Sequence, residues 1–117
     1  MPNLKKTKKT HHNLVIDAKL RKECFALVAK NTPASNTSSI LIYLLNKYSG
    51  ENEKILKEHS KAKDLQRNSV AFILCENELF SGYKKFLISK GLNVTKNTYI
   101  NILMQLYIKE NNNEKNI

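Results

Sequence analysis

The sequence predicts a mostly α-helical, single-domain protein in which one strand–helix–turn–helix unit occurs twice. The chain has 117 residues, which is the size of one domain. Apolar residues recur at helical spacing in four separate stretches, and a short apolar or β-branched run precedes the first stretch of each half. We therefore divide the chain into a basic flexible arm (1–12), a first unit (13–50), a helical or solvated linker (51–68), a second unit (69–109) and a tail (110–117).

The first unit begins with a short alternating strand over 13–18, whose residues Leu14, Ile16 and Ala18 we expect to face the core. A helix follows, and Pro33 ends it because proline cannot donate the next backbone hydrogen bond. Residues 34–38 form a turn rich in N-capping side chains, and Gly50 is suited to end the second helix. The apolar positions that define the two helices are Leu20, Cys24, Leu27 and Val28, then Ile40, Leu41, Leu44, Leu45 and Tyr48.

The second unit repeats this order, starting from a strand-like apolar run at 69–75 and with Gly91 at the end of its first helix. Its apolar positions are Leu79, Tyr83, Phe86 and Leu87, then Ile102, Leu103, Leu106 and Tyr107. In this alignment the first helix of the second unit lies 59 residues after that of the first unit, and its second helix lies 62 residues after. We therefore expect the turn between the two helices to be three residues longer in the second unit. A unit of about 40 residues cannot bury its apolar faces alone, so we expect one shared core.

The segments outside the two units are polar. Residues 51–68 carry five basic and four acidic side chains, which favours a solvated helix or a helical linker. We expect the asparagine-rich tail to fray.

The net charge is +10 with an isoelectric point near 9.7, which points to a polyanionic partner, with nucleic acid as the first candidate. No apolar run approaches the length of a membrane span, and no apolar segment follows the basic start as in a secretory signal. Cys24 and Cys75 stand in apolar contexts, which favours buried, reduced thiols in a cytoplasmic protein.

The sequence offers no catalytic, metal or cofactor site. We place His11 and His12 in the basic arm and His59 in the polar linker, and no zinc, phosphate-loop or nucleophile-elbow motif is present. A metal site from Cys24, Cys75 and a histidine has no supporting spacing. We therefore expect neither an enzyme nor a cofactor.

Two such units behind a lysine-rich arm resemble the ribbon-helix-helix (MetJ/Arc/CopG-like) DNA-binding proteins. The first half, NLVIDAKLRKECFALVAKNTPASNTSSILIYLLNKY, matches best, and the second, SVAFILCENELFSGYKKFLISKGLNVTKNTYINILMQLY, matches mainly in its helices. Two units in one chain resemble the tandem type among TraY-like relaxosome proteins. The resemblance implies a mostly α fold with a short two-stranded antiparallel ribbon, built as a tandem ribbon-helix-helix pseudo-dimer in one chain.

The resemblance further implies a sequence-specific double-stranded DNA-binding protein that inserts its ribbon into the major groove. The expected base contacts from the first strand are Asn13, Val15 and Asp17, although Asp17 is equally suited to cap the first helix. Strict alignment would expose Phe72 and Leu74 on the second strand. We prefer a register slipped by one residue, which buries Val70, Phe72 and Leu74 and turns Ser69, Ala71 and Ile73 to DNA.

Phosphate contacts are expected from the arm and from the start of the second helix in each unit, where backbone N–H groups attract anions. Helix capping alone also explains the helix-start residues. The expected residues are Lys5, Lys6, Lys8 and Lys9 in the arm, Thr37, Ser38 and Ser39 in the first unit, and Lys96, Asn97 and Thr98 in the second.

Three functional hypotheses follow. The leading one is a transcriptional regulator or plasmid-transfer (relaxosome) accessory whose partners are double-stranded DNA, further copies of itself on DNA or a relaxase-type protein. The main alternative is an antitoxin-like protein-interaction adapter with weak or non-specific nucleic-acid binding, because the second strand is apolar. An RNA-binding protein is the third, and it lacks the expected aromatic stacking motif.

Overall fold

A computed structural model of the chain describes residues 9–48, 53–59 and 68–115. The elements in these ranges are β1 (Lys9–Ile16), α1 (Ala18–Asn31), α2 (Thr37–Lys47), α3 (Glu53–His59), β2 (Ser69–Glu76), α4 (Asn77–Ser89) and α5 (Lys96–Lys115). The two strands form one antiparallel sheet. The prediction of a mostly helical protein with a short two-stranded antiparallel ribbon is therefore confirmed.

The ribbon has one buried and one exposed face, because side chains alternate along each strand. Its central pair is Asn13 opposite Phe72, with His11 opposite Leu74 towards one end and Val15 opposite Val70 towards the other. The buried face carries His12, Leu14 and Ile16 from β1 and Ala71, Ile73 and Cys75 from β2. The first strand thus buries Leu14 and Ile16 as predicted, but it starts at Lys9 and includes both histidines assigned to the arm, whereas Ala18 is an exposed residue of α1.

The predicted face of the second strand is wrong. Ala71 and Ile73 are 1% and 0% exposed, whereas Val70 and Phe72 are 58% and 59% exposed. Residues directly opposite each other in an antiparallel pair project to the same side of the sheet. Because Phe72 pairs with Asn13, it lies on the outer side with it. The pairing with β1 decides the face, and side-chain size does not override it.

The helices α1 and α2 each begin with a side chain that caps the helix N-terminus. The Asp17 carboxylate accepts from the backbone N–H groups of Lys19 and Leu20 at 2.9 and 3.1 Å. Asn36 caps α2 and exchanges hydrogen bonds with Ser39 in a capping box. The helix α1 ends at Asn31, two residues before the proline expected to stop it. The predicted stop at Gly50 lies outside the described residues.

The positions of α4 and α5 correct the predicted alignment of the two units. The first residues of α2 and α5, Thr37 and Lys96, are 59 positions apart, as are those of α1 and α4. The predicted offset of 62 is wrong because apolar doublets recur every three to four residues, so a shift of about one turn preserves the pattern. Gly91 follows α4 with a φ of 79°, a left-handed conformation that favours glycine at a helix end.

The core is shared by residues on both sides of the linker. Helix α5 packs against α1, α2, α3 and β1, while α2 packs against β2. Leu14, Leu44, Ile73 and Leu103 are all fully buried in this one cluster. No helix in the three described ranges is both long and apolar enough to cross a bilayer.

The structure shows the helical alternative for part of the linker and corrects the prediction for the tail. Part of the linker is a helix, α3, but it is not fully solvated: Ile55 is buried, and buried Glu58 lies 3.6 Å from the Lys109 ammonium. The tail expected from residue 110 continues α5 instead, as far as Lys115. The Glu110 carboxylate accepts hydrogen bonds from the Tyr48 hydroxyl and the Lys54 ammonium at 2.6 and 2.8 Å, which ties this part of α5 to the core and to α3.

Candidate nucleic-acid interface

The outer face of the ribbon is the surface that the sequence predicts to meet DNA. We define it by six outward-facing residues: His11, Asn13 and Val15 on β1, and Val70, Phe72 and Leu74 on β2. The β1 side carries an imidazole and an amide, whereas the β2 side is entirely apolar. The two strands therefore present different chemistry on one surface.

Two of the predicted base contacts lie on the outer face. Asn13 is exposed at its centre. Val15 is half-buried, and its backbone N–H donates to Asn97 Oδ1 at 3.0 Å. The prediction for Ser69 is wrong: it is half-buried and pairs with the inward-facing Ile16 at the end of β2, where its hydroxyl accepts from Arg21 Nη1 at 2.9 Å.

The other three predicted base contacts are wrong in orientation. Ala71 and Ile73 face the core for the pairing reason given above. Asp17 is 7% exposed, its carboxylate caps α1, and its backbone N–H donates to Asn101 Oδ1 at 2.9 Å. Asp17 is thus a capping residue, which is the alternative role the sequence allowed.

The N-termini of α2 and α5 flank the ribbon and hold its strands. The Ser38 hydroxyl accepts from the backbone N–H of Leu74 at 3.0 Å, and Asn97 Oδ1 holds Val15 in the same way. Each bond joins a strand to the helix start of the other unit. The predicted phosphate-contact residues of both helices therefore lie beside the ribbon, although Ser38 and Asn97 also serve to anchor it.

The remaining helix-start residues also have internal partners. Thr37 accepts from Arg21 Nη2 at 3.3 Å, Ser39 belongs to the capping box, and the backbone N–H of Thr98 donates to the Thr95 hydroxyl at 3.3 Å. Lys96 is exposed at the start of α5. Of the four arm lysines, Lys9 is exposed at the start of β1, and Lys5, Lys6 and Lys8 lie outside the described residues.

His12 and Lys96 form a contact under the ribbon that the sequence did not indicate. His12 is 6% exposed and stacks on Phe80 with ring centroids 4.7 Å apart, and its Nδ1 lies 3.4 Å from the Lys96 ammonium. Burial, with the charges of Lys96 and His11, holds the pKa of His12 below its ordinary value. His12 is therefore neutral near pH 7, so Lys96 supplies the positive charge of this contact.

Arg21 is the second residue that sequence reasoning missed. Its Nη1 donates to the Ser69 hydroxyl and to the Val70 carbonyl at 2.9 and 2.7 Å, and the guanidinium carbon lies 5.3 Å from the centre of the Phe25 ring. These contacts hold the start of β2 and bring a permanent positive charge to that end of the ribbon. An arginine in the first turn of a helix that follows a strand was the available signal.

Comparison with known proteins found no match: no family model, curated protein or solved structure resembles the chain closely enough to identify it. The resemblance to ribbon-helix-helix proteins therefore stays a prediction.

Proposed function

We propose that the protein binds double-stranded DNA sequence-specifically by inserting the β1–β2 ribbon into the major groove. One observation carries the proposal: the outward face of a two-stranded antiparallel ribbon lies between the N-termini of two helices, in a chain with a net charge of +10. A two-stranded ribbon fits the major groove, where base edges can be distinguished. Cations and helix N-termini at its sides suit the phosphates on either side of that groove.

The proposed architecture is a tandem ribbon-helix-helix pseudo-dimer with an approximate two-fold axis between Asn13 and Phe72. These residues are 59 positions apart and pair directly. The anchoring bonds are related by the same offset, because Val15 corresponds to Leu74 and Ser38 to Asn97. Buried pairs with this offset are Leu14 and Ile73, Leu44 and Leu103, and Tyr48 and Tyr107. Fusion of the two units would replace a dimerisation step by an effective concentration of about millimolar.

The proposed biological role is transcriptional regulation or assistance in plasmid transfer. Further copies on DNA or a relaxase-type protein are the partners that these roles imply. We place the protein in the cytoplasm, where unbridged thiols such as those of Cys24 and Cys75 persist.

The exposed apolar side of the ribbon favours a second candidate function, an adapter that docks another protein. Val70, Phe72 and Leu74 lie in a row, and a contiguous apolar patch often marks a protein interface. This function predicts little discrimination between DNA sequences, whereas the leading proposal predicts a preferred site.

Gel shifts with double-stranded DNA, single-stranded DNA and RNA at two salt concentrations separate these functions. We expect one duplex selected from a random library to bind more tightly than its scrambled version at both salt concentrations. Equal, strongly salt-dependent binding of all three nucleic acids would indicate charge attraction alone and would contradict the proposal.

A further inference from the structure

We infer that the ribbon recognises a non-palindromic duplex by two kinds of contact, namely hydrogen bonds from β1 and contacts between β2 and pyrimidine 5-methyl groups. The ligand class is a duplex with thymine, or 5-methylcytosine, concentrated under one end of the ribbon. This is the end at which Val15 lies opposite Val70. This inference rests on the proposed DNA binding and adds the chemistry and asymmetry of the site.

The first observation is the row of apolar side chains on the outer face of β2. Val70, Phe72 and Leu74 are 58%, 59% and 37% exposed. None of them can hydrogen-bond to a base edge. In the major groove, the apolar group that distinguishes one base from another is the C5-methyl group of thymine. Insertion of this row into the groove would therefore be favourable where methyl groups line it, because apolar surface is then removed from water on both sides.

The second observation is that the two ends of the outer face differ. Towards one end Val15 lies opposite Val70, and both are apolar. Towards the other end His11 lies opposite Leu74, so an imidazole stands beside an apolar side chain. Two identical units would place the same pair at both ends, which matches a palindrome. This ribbon instead matches a site with one methyl-rich half and one half that offers hydrogen-bonding partners.

The third observation is the charge around the apolar row, which favours DNA over a protein partner. Arg21 donates to the carbonyl of Val70 at one end of the row, and Lys9 begins β1 at the other end. Within the two strands Glu76 is the only acidic residue, and it lies at the end of the ribbon opposite Lys9. An apolar centre bordered by cations is complementary to base edges bordered by phosphates.

Replacement of thymine by deoxyuridine tests the inference, because it removes the methyl group and leaves the base-pairing groups intact. The probe is the duplex selected from the random library, with deoxyuridine placed in one half-site at a time. Each contacted methyl that is lost should weaken binding about three- to fivefold. We expect this loss in the half-site under Val15 and Val70, and we expect 5-methylcytosine to bind more tightly than cytosine at a contacted position.

Two matched variants assign the effect to the ribbon. Val70→Ala should prefer the thymine duplex over the deoxyuridine duplex by a smaller factor than the unaltered protein, because it removes part of the apolar surface and leaves Val15 in place. Ile88→Ala, which changes a side chain 61% exposed on α4, should keep the full thymine preference. Thermal melting of both variants checks that they fold.

The outcomes distinguish this inference from the proposed function. A selected site that is palindromic, or that binds equally well with thymine and deoxyuridine, overturns the inference, while its preference over scrambled DNA still supports DNA binding. If selection yields no preferred duplex, both the inference and the proposed function fail. Specific retention of an apolar peptide on this face would then support the adapter.

Discussion

Two regions of the molecule, Lys9–Tyr48 and Ser69–Lys115, follow the same order of strand, helix and helix. Their side chains at corresponding positions are similar in parts of the core and different on the outer face of the ribbon. In the core, Leu14 and Ile73 occupy equivalent strand positions and are both fully buried. On the outer face, the equivalent residues Asn13 and Phe72 are an amide and a phenyl ring. At these two positions the buried residues are alike and the outer residues differ, although on the buried face His12 corresponds to Ala71. The proposed DNA recognition therefore rests on the outer residues in which the regions differ.

The polar contacts of the two regions differ as well. Asp17 caps α1 with two hydrogen bonds, whereas Glu76, at the corresponding position before α4, makes no side-chain capping bond. The Tyr48 hydroxyl donates to the Glu110 carboxylate at 2.6 Å, whereas the Tyr107 hydroxyl accepts from the Asn31 amide at 3.2 Å. Residues 59 positions apart in the two regions therefore make unequal polar interactions, which mutations can measure.

The largest expected effect comes from the shared core. Leu44→Ala and Leu103→Ala should each lower the free energy of unfolding by about 2–5 kcal/mol, because both side chains are 0% exposed. Chemical denaturation measures the loss. Each variant should unfold in a single transition monitored by two probes. Separate transitions, or a loss below about 0.5 kcal/mol in one variant, would show that the regions do not share one core.

The next effect compares the two buried tyrosines. Tyr48→Phe removes a hydrogen bond to a carboxylate and should cost about 1.5–3 kcal/mol, whereas Tyr107→Phe removes hydrogen bonds only with uncharged groups, the Asn31 amide and the Tyr43 hydroxyl, and should cost about 0.5–1.5 kcal/mol. Equal losses at pH 7 in chemical denaturation would contradict the comparison.

The tyrosine comparison also depends on pH. Burial raises the pKa of Glu110, but hydrogen bonds from Lys54 and Tyr48 and the charges of Lys54 and Lys47 outweigh burial and hold the pKa below its ordinary value of 4.5. A lowered folded-state pKa contributes stability above the unfolded value, and this contribution is lost as the pH falls through the folded value. The cost of Tyr48→Phe should therefore shrink below about pH 4.5, while that of Tyr107→Phe stays constant.

The smallest effect compares the starts of α1 and α4. Asp17→Ala should cost about 0.5–2 kcal/mol, because it removes the N-cap of α1. Glu76→Ala should change stability by less than about 0.5 kcal/mol, because this exposed side chain makes no capping bond. Thermal melts of both variants measure the difference. A larger loss for Glu76→Ala would show that the two helix starts have been assigned the wrong roles.

The orientation of an element could be predicted from the sequence where the local pattern of apolar residues fits only one arrangement. The alternation around Leu14 and Ile16 leaves Asn13 and Asp17 on the other side, with Val15 as the single apolar residue there, so the face of β1 followed from it. The segment SVAFILC has apolar residues at both parities, so its face depends on pairing with a strand about 60 residues away. The alignment of α5 with α2 was missed by about one turn for a similar reason. Pairs of adjacent apolar residues recur along α5, so two alignments with α2 fit the sequence pattern.

The candidate site was predictable only in part, because several of its residues are positioned by distant contacts. Asn13 and Val15 follow from the face of β1, and the helix-start residues follow from capping preferences. Arg21 and His12 are defined by partners in β2, α4 and α5, which no local pattern specifies. Long-range packing therefore decides which basic residues border the ribbon.

The most direct test of insertion of the ribbon into DNA is a salt titration of Asn13→Ala on the selected duplex and on its scrambled version. The control is Asn112→Ala, which removes the same side chain from an exposed position near the end of α5. Asn13→Ala should reduce discrimination between the duplexes by about 1–3 kcal/mol and leave the slope of log K against log salt unchanged, whereas the control should change neither. Unchanged discrimination in Asn13→Ala, or an equal loss on both duplexes, would contradict recognition of bases by the ribbon.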